Sequence, residues 1–437
     1  MELMDGFISS LDFSNHPMKN AKYKIKEQYY YLLNLFIEGV HVDNYRLRRL
    51  KQYENFLMRK DNKSNEYITP LENSKISFSN KTIISKYKFL RKKYKYCMLC
   101  DLALILLNDK EIENILQDIY KYVSSYRKNQ LEKLYKILIK PNSKTNKFSF
   151  VSNIIEQYWK NKEFIKKKEV KIIVTANMSA GKSTLINALV GKKITRTAQE
   201  VCTTNNYYIF NKAFEDNKMY LEESNLIVDA KKEDLDKCKY DTSISVATFF
   251  RKLNNDIERV CIVDTPGVNS AMNKIHGKIT KETIKKENYD ILLYILNANK
   301  LGTDEEIAYL KWIAKNVQNK KVLFVLNKLD TFHTEEDSIK DSINGVKNDL
   351  ISLGYEDPII CPLSAYYAFL LKKKYYDNSF TEDEEDEYYI YTKKFKKDEY
   401  DLSKYYKEKY KAINEFNSMS IKCGIYNLER MIYGGIK

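Results

Sequence analysis

Val170-Lys-Ile-Ile-Val-Thr-Ala-Asn-Met-Ser-Ala-Gly-Lys-Ser-Thr-Leu-Ile-Asn-Ala-Leu-Val-Gly191 decides the fold of this chain. A short β-branched run, Val170–Thr175, reads as a strand. A small-residue loop and then a helix follow. Ala176 to Ser183 has Walker A spacing, with alanine in place of the first glycine. A loop of this kind wraps phosphates with its backbone N–H groups, aided by the N-terminus of the following helix. Asn177, Met178, Ser179, Ala180, Gly181, Lys182, Ser183 and Thr184 are therefore the expected phosphate-cradling residues. Gly181 lets the backbone approach closely because it has no Cβ. Lys182 is expected to reach the β- and γ-phosphates, and Ser183 to ligate Mg²⁺. This loop alone does not choose between adenine and guanine nucleotides.

Outward from it, short apolar runs recur at Tyr207–Phe210, Arg259–Val263, Ile291–Asn297, Val322–Asn327 and Pro358–Pro362, most of them separated by helical stretches. That alternation predicts an α/β domain with a mostly parallel central sheet. Two of the runs end in further motifs. Asp264-Thr-Pro-Gly267 offers a carboxylate for Mg²⁺ and, at Gly267, an N–H for the γ-phosphate. Taken alone it reads as a plain turn. Asn327-Lys-Leu-Asp330 offers a carboxylate that can accept both the N1–H and the N2 amino hydrogens of guanine, a donor pair that adenine lacks. Asn327 is expected to brace the phosphate loop, Lys328 to cover the base, and Ser364-Ala365 to offer a backbone N–H to guanine O6. Three strand ends thus carry phosphate, magnesium and guanine chemistry in order, where ligands of such folds bind. The expected ligands are GTP and GDP. A switch threonine belongs between the first two motifs. Thr203 is the candidate for contacting Mg²⁺ and γ-phosphate, with Thr204 the alternative, and Arg196 lies just upstream.

The first 165 residues read differently. Helical periodicity runs through 21–60, with Tyr29, Leu32, Leu33, Phe36 and Ile37 on one face. It returns at 84–107, at 110–140 and at 149–167. No strand-like alternation precedes Glu169, so an all-α region is expected before the α/β domain. The net charge of +15 is unevenly spread: residues 1–165 hold 30 basic and 18 acidic side chains, a net of +12, and the remainder nets +3. Such a region attracts polyanions, or is simply a lysine-rich soluble surface. The seven cysteines are scattered and indicate a reducing compartment rather than a disulfide framework. Cys97 and Cys100 form a CxxC on a helix with no second pair, which favours core packing. No secretory signal is visible, and the most apolar run, Cys97–Leu107, is far below the ~20 residues needed to span a bilayer. The acidic 382–387 followed by basic 393–397 reads as a solvated, charge-segregated insert near 376–412.

At this point the motifs resemble the bacterial dynamin-like proteins. The resemblance rests on Asn177–Gly191, on Asp264-Thr-Pro-Gly-Val-Asn-Ser270 with Asn273 and His276, on Leu296–Asp304, and on Cys423–Glu429. It covers about 168–433 and implies a dynamin-type GTPase domain over 168–437, after a basic helical region over 1–167 that could form part of a stalk or neck. It implies a homodimer through the GTPase domain, or a second dynamin-like protein as partner. GTP hydrolysis would need no separate activator and would be coupled to a mechanical change at an anionic membrane. It further implies catalytic roles for Lys182, Ser179, Thr203 and Gly267, metal ligation by Ser183, Thr203 and Asp264, and a monovalent cation near Ser179. Eukaryotic members of the family have a water-orienting glutamine where this chain has Met178. The chain stops soon after the domain, so remodelling of a membrane by this chain alone is not expected. The localisation expected is cytoplasmic, peripheral at the inner face of the membrane. The alternatives are a nucleic-acid-associated GTPase, with nucleic acid the less favoured partner, and a slow regulatory switch.

Overall fold

A computed structural model describes residues 6–38, 44–58, 87, 90–121, 123–140, 146–195, 205–223, 226–238, 242–253, 258–267, 274–317, 320–333 and 338–433. The chain forms two compact units. One comprises residues 1–166 with 213–216, the other 167–212 with 217–437.

The first unit is built on helices: α1 (Tyr23–Glu38), α2 (Asn44–Met58), α3 (Lys92–Leu106), α4 (Asp109–Tyr120), α5 (Ser125–Ile139) and α6 (Ser152–Lys166). Its centre is α3, buried on every side from Tyr94 to Leu106, as a helix without a polar face must be. The stretch read as one helix over 110–140 is two. Ser124 is extended, with φ −64° and ψ 155°, and starts α5 afresh, while Asn108 caps α4 by accepting from Lys110 and Glu111 N–H. Cys97 and Cys100 lie in the core. Beside them the Asp101 carboxylate is fully buried and accepts from Tyr53 Oη at 3.0 Å, from Tyr29 Oη at 2.5 Å and from His16 Nε2 at 3.1 Å. His16 Nδ1 in turn accepts the Met18 N–H, which fixes the ring proton on Nε2 and directs it at the carboxylate. The cluster is thus a closed hydrogen-bond network, with each polar group satisfied inside the core. Among the described residues no helix is long and apolar enough to cross a membrane.

The second unit is a nine-stranded sheet flanked by helices. Its strands are β1 (Glu169–Ala176), β2 (Tyr207–Asn211), β3 (Tyr220–Glu222), β4 (Leu226–Val228), β5 (Ile244–Thr248), β6 (Arg259–Asp264), β7 (Ile291–Asn297), β8 (Lys321–Asn327) and β9 (Ile359–Pro362). They are ordered β4-β3-β5-β2-β6-β1-β7-β8-β9. The block β6-β1-β7-β8-β9 is parallel throughout. Strands covered on both faces need no polar alternation, and β7 is buried along its whole length. β2 joins this block antiparallel to β6, and β5 and β3 continue beyond it. The fold is therefore α/β and mostly parallel, after an all-α region. The sequence reading had passed over β3, β4 and β5, which have only three to five residues each.

Helices α7 (Lys182–Val190), α8 (Lys232–Lys237), α9 (Lys274–Lys286), α10 (Asp304–Asn316), α11 (Ile339–Ser352), α12 (Ala365–Tyr376), α13 (Glu382–Lys396), α14 (Glu415–Lys422) and α15 (Ile425–Tyr433) complete the unit. The charge-segregated insert forms α13. Its acids Glu382–Glu385 fill the first turn and Lys393, Lys394 and Lys396 the last, the arrangement that opposes the helix dipole.

Side chains and backbone from elsewhere in the unit partner the carbonyls at the end of α7. Lys372 Nζ donates to Leu189 O at 3.2 Å, the Arg251 N–H to Val190 O at 2.9 Å, and the Arg251 guanidinium to Gly191 O at 3.3 Å. Lys372 is also ion-paired with Glu429 of α15 at 2.5 Å, both side chains being excluded from water. Burial pulls the Lys372 ammonium below its usual range, and the Glu429 carboxylate opposes that pull. Removing one partner leaves a buried charge uncompensated. Lys372→Ala is expected to lower the unfolding free energy by about 3–5 kcal/mol, while Lys372→Met with Glu429→Leu costs far less. Urea titration of the two variants would decide it, and equal losses would show that the charge itself is not the issue.

Candidate functional site

The carboxyl ends of β1, β6, β7 and β8 meet at one edge of the second unit, where Asp264, Asn297 and Asn327 close the last three and the phosphate loop leaves the first. The loop after β1 passes through left-handed backbone twice, at Ser179 (φ 62°) and Gly181 (φ 93°). Such a backbone turns successive N–H groups inward into a concavity that suits an anion. A Cβ at Gly181 would collide with the Asn327 side-chain amide, so glycine here answers both to φ and to space. Met178, Ser179 and Ser183 are exposed, and Ala180 is buried beneath them. Lys182 and Thr184 are half-buried in the first turn of α7.

Asp264 closes β6, in register with Val174 of β1. The Lys182 ammonium is ion-paired with its carboxylate. The following Thr265 is fixed by its hydroxyl donating to Val174 O at 2.9 Å, and Thr280 Oγ1 donates to Pro266 O at 2.6 Å. Gly267 ends the described stretch with open space where a Cβ would stand. A hydroxyl at Ser183 and a carboxylate at Asp264 are hard oxygen donors of the kind that Mg²⁺ prefers. Thr203, Thr204 and Arg196 lie outside the described residues, as does Asn273.

Asn327 closes β8, in register with Asn297 of β7. Its Nδ2 donates to Ala180 O at 2.9 Å, and its Oδ1 accepts the Ala365 N–H at 3.0 Å. It thereby ties the phosphate loop to the start of α12. Lys328 follows in the left-handed region, at φ 71°, and a short 3₁₀ turn over Leu329–Thr331 carries Asp330. Asp330 is buried, and its Oδ1 has no hydrogen-bond partner. Burial raises the carboxyl above its ordinary range, while a hydrogen bond from Ser364 opposes the rise. A buried carboxylate oxygen without a donor is costly. It marks a place where a ligand's N–H groups are needed.

One expectation needs correction. Neither the Ser364 nor the Ala365 N–H is open to a base, since they donate to Cys423 O and to Asn327 Oδ1. The Ser364 hydroxyl caps α12 instead, by accepting from Tyr367 N–H. The structure also brings in residues to which the sequence reading gave no role. Asn297 Nδ2 donates to Ser179 O at 3.4 Å, a second brace on the phosphate loop. Asn299 Nδ2 donates to Thr331 Oγ1 at 2.9 Å and so steadies the Asp330 turn. Their signal in the sequence is the Leu296–Asp304 stretch, which holds both asparagines.

Comparison with known proteins adds to this geometry. Residues 172–329 match the model of the Dynamin family, a span from β1 to the start of the Asp330 turn. Dynamin-like protein 1 of Campylobacter jejuni is 26% identical over 362 residues, covering 72% of this chain and 48% of its own length. An uncharacterized protein of Caldicellulosiruptor is 31% identical over 219 residues, covering 47% of this chain and 52% of its own. A probable transmembrane GTPase, FZO-like, of Arabidopsis thaliana is 27% identical over 203 residues, with 46% and 20% covered. The chain thus spans between a fifth and about half of the length of these relatives.

Proposed function

We propose that this chain is a dynamin-superfamily GTPase, that it binds GTP at the edge formed by β1, β6 and β8, and that it hydrolyses it to GDP and phosphate. The observation that carries the reading is the unpartnered, buried Asp330 oxygen beside a left-handed phosphate loop. Guanine supplies two adjacent donors for that carboxylate. The Ser179–Gly181 backbone cradles the phosphates. Lys182, paired with Asp264 in this structure, exchanges that partner for phosphate oxygens when the nucleotide enters. The exchange frees the Asp264 carboxylate, which together with Ser183 would hold Mg²⁺. The ion's contribution is to offset phosphate charge. Water attacks the γ-phosphorus in line, the bond to the β-phosphate oxygen breaks, and Lys182 stabilises the charge that develops. In this reading the exposed Ser179 would help hold a monovalent cation that completes that charge balance. Met178 has no hydrogen-bonding group to orient the water, so turnover depends on what a second copy brings to the same face.

In this reading two chains meet across their nucleotide faces, or one meets a second dynamin-like protein. The basic 1–165 region then draws the assembly to an anionic membrane surface from the cytoplasmic side. The test is GTP turnover per molecule against protein concentration, with and without anionic vesicles. A specific rate that climbs with concentration, and further with vesicles, supports it. A flat, low rate with GTP still bound sinks the mechanical reading and leaves a slow switch. Oligonucleotide binding that weakens steeply with salt, without vesicle binding, would favour a nucleic-acid partner instead.

A further inference from the structure

The Asp330 turn is held from outside by α13, the helix that the charge run forms. Lys394, in its last turn, donates from Nζ to Asp330 O and to Phe332 O, each at 2.5 Å. The same ammonium lies 4.6 Å from the centre of the Tyr400 ring, and Tyr400 Oη donates to Phe332 O at 3.1 Å. One cation and one hydroxyl thus hold two carbonyls on either side of Thr331. The helix is itself anchored. Phe395 is fully buried and stacks on Tyr367 of α12 with ring centres 5.0 Å apart, and Tyr367 Oη shares a 2.9 Å hydrogen bond with Thr392. Tyr391, also on α13, lies close enough to Asp330 to feel its charge.

The turn needs such a clamp. It enters through Lys328 in a left-handed conformation that a non-glycine residue adopts only at a cost. It must also hold a buried carboxylate with an unpartnered oxygen in a fixed direction. Thr331 Oγ1 closes the turn locally by donating to Lys328 O at 2.7 Å, but that bond does not tie the turn to the rest of the unit. Asn299 ties it on one side and Lys394 on the other. Ser364 holds the carboxylate itself and Tyr400 holds Phe332 O, and the charge-assisted bonds from the partly buried ammonium are the strongest of the ties on the turn's backbone.

We infer that Lys394 is a positioning residue for base recognition: α13 fixes the backbone of the Asp330 turn and so sets the aim of the carboxylate at guanine N1–H and N2. The inference rests on the guanine reading of the site. It gives the charged insert a function beyond solvation, since its helix acts on specificity through the backbone of the turn.

The test uses the full chain and fluorescent GDP, with GTP, ITP and ATP as competitors. ITP lacks the N2 amino group, so the GTP-to-ITP affinity ratio reads the aim of the carboxylate. Lys394→Met is expected to weaken GDP and GTP about tenfold, to narrow the GTP-to-ITP ratio, to raise KM, and to leave kcat within about twofold. Lys394→Arg should restore most of the affinity. Tyr400→Phe removes a single bond of the same clamp, and the expected loss is two- to threefold. It serves if Lys394→Met does not fold, and unchanged binding in it would then overturn the inference. Wild-type binding that favours GTP over ATP, with Lys394→Met binding GDP within twofold of it, overturns the role of Lys394 alone. Wild-type protein that binds GTP and ATP alike overturns the guanine reading, and this inference with it.

Discussion

Lys182→Ala is expected to lower GTP turnover by roughly 10²–10³-fold, the usual cost of removing one preorganised charge stabiliser from a transition state. The side chain begins α7, where the helix N-terminus already favours anions, and it reaches across to Asp264 at the end of β6. Its loss therefore has two effects. The phosphates lose a cation, and Asp264 loses its partner while still mostly buried. The fold should survive, because α7 is fixed through Asn187, Leu189 and Val190 on its far side. Circular dichroism checks the fold, and single-turnover phosphate release checks the chemistry. Turnover within threefold of wild type would place the phosphates elsewhere and remove the basis of the mechanism.

The second large effect is expected at Asp330. Asp330→Asn replaces the acceptor pair by one acceptor and one donor, so GTP affinity should fall by roughly 10²–10³-fold, as a buried site does when its polar pairing is lost. Xanthosine triphosphate carries a carbonyl where guanine has its amino group. The new amide can donate to it, so that nucleotide should gain on GTP in competition. A pH dependence goes with this. Burial raises the Asp330 carboxyl above its usual range, so in the free protein it takes up a proton earlier than an ordinary carboxylate as pH falls. Only the ionised form accepts from both guanine donors. Wild-type GTP affinity should thus be full at neutral pH and fall on acidification through that raised pKa. Asp330→Asn should lose this component, since an amide does not titrate. A mutant whose nucleotide preference and acid sensitivity both match wild type would show that the base does not sit at this carboxylate.

Much of the second unit was legible because its strands are buried on both faces and appear as unbroken apolar runs. Ile291–Asn297 was read with the bounds that β7 has, and β1, β2, β6, β8 and β9 differ from their reading by a residue or two. The strands β3 and β4 escaped because runs of three residues do not establish a period, and β5, Ile244-Ser-Val-Ala-Thr248, is broken by polar residues rather than an unbroken apolar run. Asp330 and Asn327 were legible by their place at a strand end. What could not be read was which backbone amides remain free, since that depends on partners such as Cys423, which lies 59 positions after Ser364 and donates no local signal. Lys394 was hidden for a related reason. In sequence it is one lysine in a basic run, and only the packing of Phe395 on Tyr367 turns it toward the Asp330 turn. In the helical unit, 110–140 read as one helix because apolar residues recur on both sides of the break at Ser124.

The buried Lys372–Glu429 pair makes a rigid linkage of elements that are far apart in the chain. Its lysine grips the far end of the helix that begins at the phosphate loop, and its glutamate belongs to α15 while also accepting the Leu253 N–H at 2.9 Å. A pair sealed from water cannot slide through intermediate distances, because each step apart exposes a bare charge to a medium that screens it poorly. The pair thus pins the far end of α7, the Leu253 backbone and α15 together at one point of the unit.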